Sequence, residues 1–309
     1  MIKSPPRVLL ITSSLLIALG MFANSAPRPR QATQQTSPPG TDIFVADVNE
    51  HGGQLKVGKP TNITSRPGYD NQPRFLPDGK SLFYTSIRED KQADIYRYDA
   101  VKGASARLTQ TPESEYSPTL TPDGKYFSVI RVEADSTQRL WKFPLAGGEP
   151  VLVLERIKPV GYHVWVNDKT VLLFVLGTPN TLQLVNVPTE KSETILTNVG
   201  RSLHRVPGRE MVSFVHKVSA DEWVIKEMDI KSRKIVPVVK TLPASEDYAW
   251  TPGGILLMAK GAALFKYDPA RDKGWQEVAD FSASGVNSVT RLAVSPKGNR
   301  IAFVAGDAR

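Results

Sequence analysis

The sequence predicts an all-β protein, a six-bladed β-propeller closed by pairing of its N-terminal strands with its C-terminal hairpin. Two observations carry this reading. The first is a tight turn that recurs: Pro77-Asp78-Gly79-Lys80 returns 45 residues later as Pro122-Asp123-Gly124-Lys125, each between runs that alternate as strands do. Proline sets φ near about −65°, aspartate bonds its own backbone, and glycine takes the positive φ that strains other residues, so each turn closes a hairpin. The second is the period. Weaker copies begin at Asn167, Pro207, Pro252 and Pro296, so successive anchors step by 45, 45, 40, 45 and 44 residues. That interval is the length of a four-stranded propeller blade and exceeds that of the short helical repeats.

Taken in order, the chain begins with a basic start (Lys3, Arg7), an apolar run from Val8 to Phe22 and small residues at Ala23, Ser25 and Ala26. Residues 1–26 therefore read as a secretory signal peptide. The apolar run is shorter than the roughly 20 residues of a bilayer span, so cleavage near Ala26 is expected, with a retained membrane anchor as the alternative. Residues 27–41, rich in Pro, Gln and Thr without apolar periodicity, read as an extended disordered linker. The propeller is assigned to residues 42–309.

Asp42 to Val48 alternates as a strand but precedes the first complete repeat and has no inner hairpin of its own. At the other end, Thr290 to Val294 and Arg300 to Val304 flank the last turn, and the outer pair of that unit is missing. DIFVADV matches the third strand of other repeats, and Lys56 to Thr64 matches the fourth. Joining the two ends leaves no exposed sheet edge. The intervening blades are expected at 68–111, 112–156, 157–199, 200–242 and 243–283, with the closing one built from 284–309 and 42–64. Trp141, Trp165, Trp250 and Trp275 sit among β-branched and aromatic strand residues and are expected to fill the space between blades.

Composition narrows the chemistry. There is no cysteine, which excludes disulfides, thiolate metal sites and a cysteine nucleophile. The four histidines, at 51, 163, 204 and 216, show no zinc-site spacing. The net charge of +8 falls to +6 once Lys3 and Arg7 leave with the leader. Lysine and arginine are interspersed with acids, so no nucleic-acid footprint is expected.

The residues QPRFLPDGKSLFYTS with ADIYRYD and ARLTQT, repeated as SPTLTPDGKYFSVIR with RLWKF, resemble the WD-type propeller repeat of TolB-like proteins. The resemblance covers most of the chain after the linker and is strongest in the first two repeats. It implies a periplasmic or secreted binding scaffold. In that family a separate α/β domain precedes the propeller, whereas here only the short linker precedes the first strand, so membership of a Tol-type complex does not follow.

In such a blade the first strand lines the central tunnel, and the residues entering it meet at one mouth, opposite the PDGK turns. Positions just before each anchor place Asp70, Tyr116, Tyr162, His163, Arg201, His204, Asp247, Tyr248 and Arg291 there. A surface bearing Tyr and Arg suits recognition, and the alternative is ordinary polar loop ends. The charged segments Ile87–Ala93, Val132–Gln138 and Lys217–Asp221 open on the same face and read as solvated rim, without calcium-loop spacing. No nucleophile elbow is present. The expected function is a non-catalytic exported scaffold binding an envelope protein, as a monomer and without a cofactor. Two alternatives stand beside it. One is a glycosidase or lyase using a carboxylate pair such as Asp70 and Asp247 with His163 or His204 as proton donor; the other is a small-ligand or metal-ion binder at the mouth. Fused to a reporter active only outside the cytoplasm, residues 1–41 should switch it on, and a mature protein beginning near Pro27 would establish cleavage over anchoring.

Overall fold

A computed structural model of the chain describes residues 38–306 together with Met1. The expected signal peptide and most of the linker lie outside the described residues. Of the linker, Thr41 already belongs to the first strand. The described part is all-β apart from one 3-10 turn at Ser282–Ser284, and among its residues no helix is long and apolar enough to cross a membrane.

The chain opens with β1 (Thr41–His51), β2 (Gln54–Val57) and β3 (Thr61–Asn62). Four-stranded sets follow. The first is β4 (Tyr69–Phe75), β5 (Ser81–Ile87), β6 (Ala93–Asp99) and β7 (Ala104–Arg107). The second is β8 (Ser114–Leu120), β9 (Tyr126–Val132), β10 (Gln138–Pro144) and β11 (Val151–Leu152). Next come β12 (Val160–Asn167), β13 (Thr170–Val175), β14 (Thr181–Asn186) and β15 (Lys191–Thr197). Then come β16 (Val199–Arg205), β17 (Met211–Lys217), β18 (Trp223–Asp229) and β19 (Ile235–Lys240). The last full set is β20 (Tyr248–Trp250), β21 (Leu256–Lys260), β22 (Ala263–Tyr267) and β23 (Gln276–Asp280), before the final hairpin β24 (Val289–Val294) and β25 (Arg300–Gly306).

Each set from β8 onward to β23 is a separate antiparallel sheet in sequence order. The ends of the chain combine differently: β24, β25 and β1 lie side by side and continue through β4 to β7. β1 runs antiparallel to β25 from Thr41↔Gly306 to Asp47↔Arg300, while a single parallel bridge, Thr41↔Tyr69, links it to β4. The expected fourth strand over Lys56–Thr64 is only partly formed. β2 pairs with the outer half of β1, and only Thr61 and Asn62 reach the inner half, beside Val45 and Phe44. Pro60 lacks the N–H a longer ladder would need.

The first strands touch one another in a cycle: β4 meets β8, then β12, β16, β20 and β24, which returns to β4. The second strands explain the packing. All of Ser81–Ile87 is buried, because a sheet stacked between two others buries both faces of this strand. Its side chains still alternate between the two faces, and Ser81, Thr85 and Ser86 are buried along with Leu82, Phe83, Tyr84 and Ile87. In β13, Leu172 and Phe174 pack toward β17, whereas Val171, Leu173 and Val175 pack toward β9 and β10. In β25, Ile301 and Phe303 join Leu257 of β21, whereas Ala302 and Val304 join Leu82 and Tyr84 of β5.

The turns behave as their residues require. Asp78 Oδ1 accepts the N–H groups of Lys80 (2.8 Å) and Ser81 (2.7 Å), and Gly79 sits at φ 63°. Asp123 and Gly124 repeat this, with Gly124 at φ 67°. Ile43, wholly buried against Leu82, Tyr84 and Val304, joins the two ends of the chain to the first full sheet. Ile43→Ala should lower the urea-unfolding free energy by about 2–5 kcal/mol; a loss under about 0.5 kcal/mol would mean that β1 contributes little to stability.

Candidate functional site

The first strands do more than line the centre of the cycle. In five of the six their pairing with the second strands slips, at the same repeat position between Asn71 and Arg74, Tyr116 and Thr119, and Thr290 and Ala293, and close to it between Val160 and Tyr162 and between Val199 and Leu203. Such bulges re-aim side chains. Gln72, Ser117 and Arg291, at the slip, adopt left-handed backbone with φ of 57°, 56° and 52°. Neighbouring slips are tied together: Gln72 Oε1 accepts both the Ser117 N–H (2.8 Å) and the Thr85 hydroxyl (2.9 Å).

Counted back from the turn anchors, the fifth residue in each repeat is Gln72, Ser117, Tyr162, Ser202, Asp247 and Arg291. All six line one cavity of about 110 Å³ at the mouth. The third residue back is Arg74, Thr119, Val164, His204, Ala249 and Ala293, and all six line an adjoining cavity of about 350 Å³. Two levels of one channel are thus built by repeat-equivalent positions.

Of the residues assigned to the mouth from sequence, Tyr162, His163, Arg201, His204, Asp247, Tyr248 and Arg291 line it. Asp70 does not. It is wholly buried, its Oδ1 bound by the Ser86 hydroxyl (2.6 Å) and the Arg66 guanidinium (3.0 Å), because it precedes the bulge and turns away from the channel. Tyr116 also lies outside the lining; burial raises its phenol. Tyr69, which sequence reasoning passed over, also lies outside the lining. Burial lifts its phenol to about 12 against the charges of Arg291 and Arg201, with Tyr162 and Tyr116 adding to the rise.

The mouth charges are internally paired. Arg201 grips Asp247 bidentately, Nε to Oδ1 at 3.0 Å and a terminal nitrogen to Oδ2 at 2.7 Å, and also meets Glu246 at 3.3 Å. Burial works against both charges, yet this pairing holds the Asp247 carboxyl below its ordinary range and raises Arg201. Arg291 donates to the Tyr162 hydroxyl at 2.9 Å and lies over its ring at 5.1 Å. β12 and β24 are three steps apart either way round the cycle of first strands, so this contact crosses the channel.

His163 and Tyr248 are structural as well as lining. The Trp165 indole N–H donates to Ser128 Oγ (2.8 Å), where His163 Nε2 also bonds at 2.7 Å. In the same arrangement two sheets on, Trp250 (2.9 Å) and Tyr248 (2.8 Å) both donate to Ser213 Oγ. Ser128 and Ser213 occupy second strands of the preceding sheets, so each triplet rivets two sheets together. Trp165 and Trp250 are buried as expected; Trp141 and Trp275 are only partly buried, their N–H groups going to Glu133 and the Lys240 carbonyl. Burial, reinforced by the Arg74 charge, pushes both His163 and His204 down to about 3. Neither is a proton donor near neutrality. The carboxylate pair considered from sequence is not assembled, since Asp70 and Asp247 are held in separate ion pairs. Among the described residues, no cluster of three or more His, Asp or Glu is placed to hold a metal ion.

No protein-family model matches the chain, and no curated protein matches it significantly. Solved structures do. A protein assigned as TolB from Agrobacterium tumefaciens is similar at 12% identity and a TM-score of 0.66, with 88% of this chain and 99% of that one covered. TolB from Acinetobacter baumannii is similar at 15% identity and a TM-score of 0.55 over 87% of this chain and 65% of that one, so this chain spans less than two thirds of its length. An oligogalacturonate lyase from Vibrio parahaemolyticus matches at 12% identity and 0.52, covering 87% and 98%. The fold is a TolB-like β-propeller.

The two neutral histidines give a pH signature. Unfolded imidazoles ionise near about 6.5, so below that pH the unfolded chain takes up protons that the folded chain refuses. Their contribution, complete above about 6.5, is lost as pH falls toward 3, by up to about 1.4 kcal/mol per pH unit per histidine. Urea-unfolding free energies of His163→Gln should therefore fall less steeply than the parent's between about pH 6 and 4; parallel curves would mean that His163 ionises normally in the folded chain.

Proposed function

We propose that this TolB-like propeller is an exported, non-catalytic binding scaffold of the cell envelope, closed as six blades, whose mouth docks a protein partner. The cycle of first strands and the pairing of β1 with β25 support the six-blade closure. The basic, apolar and small-residue succession of residues 1–26 supports export, and the composition of residues 27–41 supports a linker.

The observation that carries the binding role is the grouping of Tyr162, Arg201 and Arg291 at one mouth, with Arg201 already fixed by Asp247. Tyrosine and arginine supply most binding hot spots because each combines a large contact area with a directed polar tip. A rigid scaffold beneath them lowers the ordering cost of association. The fold itself does not choose a role, since TolB proteins and an oligogalacturonate lyase share it. The residues favour binding over acid–base chemistry: the imidazoles are held neutral, the Asp247 carboxylate at the mouth is spent on Arg201, and Asp70 is buried away from the channel on Arg66.

The test is affinity capture from envelope extract with the parent and with a Tyr162→Ala, Arg291→Ala double variant of parental melting temperature. Loss of two such anchors at about 2 kcal/mol each should remove the captured partner. Equal recovery by both proteins would overturn the assignment of the interface to this mouth, and glycan cleavage abolished by Asp247→Asn would replace the scaffold reading with an enzyme.

A further inference from the structure

The two cavities of the channel share Arg74, Thr119, His204 and Leu292. Arg74 differs from the other arginines that line them. Arg201 pairs with Asp247, Arg205 with Glu210, and Arg291 with the Tyr162 hydroxyl. Among the described residues, no carboxylate or hydrogen-bond partner meets Arg74, whose half-buried side chain lines both levels of the channel. Arginine keeps its proton, so the positive charge stays in the channel. No acidic residue lines the larger cavity. An anion from outside is the natural complement.

The walls narrow the choice. Trp165 and Trp250 line the same cavity, and their N–H groups are already given to Ser128 and Ser213, so what they offer a guest is ring surface. The buried Nε2 of His204 has no hydrogen-bond partner. A nitrogen of neutral imidazole donates or accepts according to tautomer, and a hydroxyl matches either. One unpaired guanidinium balances one negative charge, whereas a dianion would leave a charge uncompensated. A volume of about 350 Å³ lies in the range of small-molecule sites.

We propose that the channel at Arg74 binds a small monoanionic hydroxycarboxylate with a ring body: carboxylate on Arg74, ring on Trp165 and Trp250, hydroxyl on His204 Nε2. This goes beyond docking at the mouth and does not depend on it.

The test uses the full chain, with 4-hydroxybenzoate as probe and tryptophan fluorescence and calorimetry as readouts. Saturable quenching is expected. The neutral methyl ester, inorganic phosphate and Arg74→Gln should each weaken binding at least about tenfold, the loss of one charge-assisted contact. Benzoate, lacking the hydroxyl, should bind a few-fold more weakly. Without ligand, Arg74→Gln should melt no lower than the parent, because it removes a charge with no partner; a merely structural arginine would lower it. Arg74→Lys, which keeps the charge, should bind with intermediate affinity. The Tyr162→Ala, Arg291→Ala variant should still take the probe and Arg74→Gln should still capture the protein partner, so the two readings fail separately. Equal binding of acid and ester, phosphate as tight as the acid, parental binding by Arg74→Gln, or no saturation by about 10 mM would overturn the proposal.

Discussion

The antiparallel ladder between β1 and β25 is the constraint on which the rest of the molecule depends. It joins residues from opposite ends of the chain in continuous register, with Phe44 and Phe303 stacked at 5.6 Å between ring centres. Its strands supply one wall of two apolar gaps. Ala46, Ile301 and Phe303 face the sheet of β20 to β23, and Ile43, Ala302 and Val304 face the sheet of β4 to β7. Each sheet is stable only because both of its faces are covered, so an unmade ladder would expose two neighbours at once and propagate from them. The same ladder removes the edges that β24–β25 and β1 would each present alone.

Much of the architecture was legible because turn chemistry is local. Two well-formed Pro-Asp-Gly-Lys turns set the period, and the observed sheets follow the expected repeat bounds except that β1 and β16 each begin one residue early, at Thr41 and Val199. The Asn167 turn, of weaker sequence, still closes a two-residue hairpin, with Lys169 N–H bonded to Asn167 Oδ1. The site was legible to the level of residue position and no further. Position before the turn anchor sent Asp70 toward the channel, but the slip between Asn71 and Arg74 turns Asp70 away while Gln72 and Arg74 line the channel. No residue type announces that slip: Gln72 and Ser117 hold left-handed backbone without being glycine, and only the hydrogen bond between them shows why. Likewise, His163 carries no local sign that its partner is a serine 35 residues earlier.

The division of labour among polar groups follows from burial. Near the rim, where water still reaches, Arg201, Asp247, Glu246 and Lys217 form a connected network in which each charge has an opposite neighbour. Between the sheets, neutral triplets of tryptophan, serine and a second ring do the joining, which suits a region where an ion would be costly. A buried carboxyl that does occur there, Glu115, is pushed up to about 7 by burial despite bonds from Thr111 and Thr109 and the charge of Arg131. Against that background, the bare guanidinium at Arg74 is out of keeping with every other solution the chain uses.

The contact between Tyr162 and Arg291 has a mechanical meaning. A ring of stiff plates resists stretching around its circumference but flattens readily into an oval, because flattening needs only small rotations in the gaps. A strut between opposite plates opposes that one deformation, and here the strut is a single hydrogen bond with a cation resting on a ring. Anything at the mouth that competes for the Tyr162 hydroxyl or the Arg291 guanidinium unfastens it.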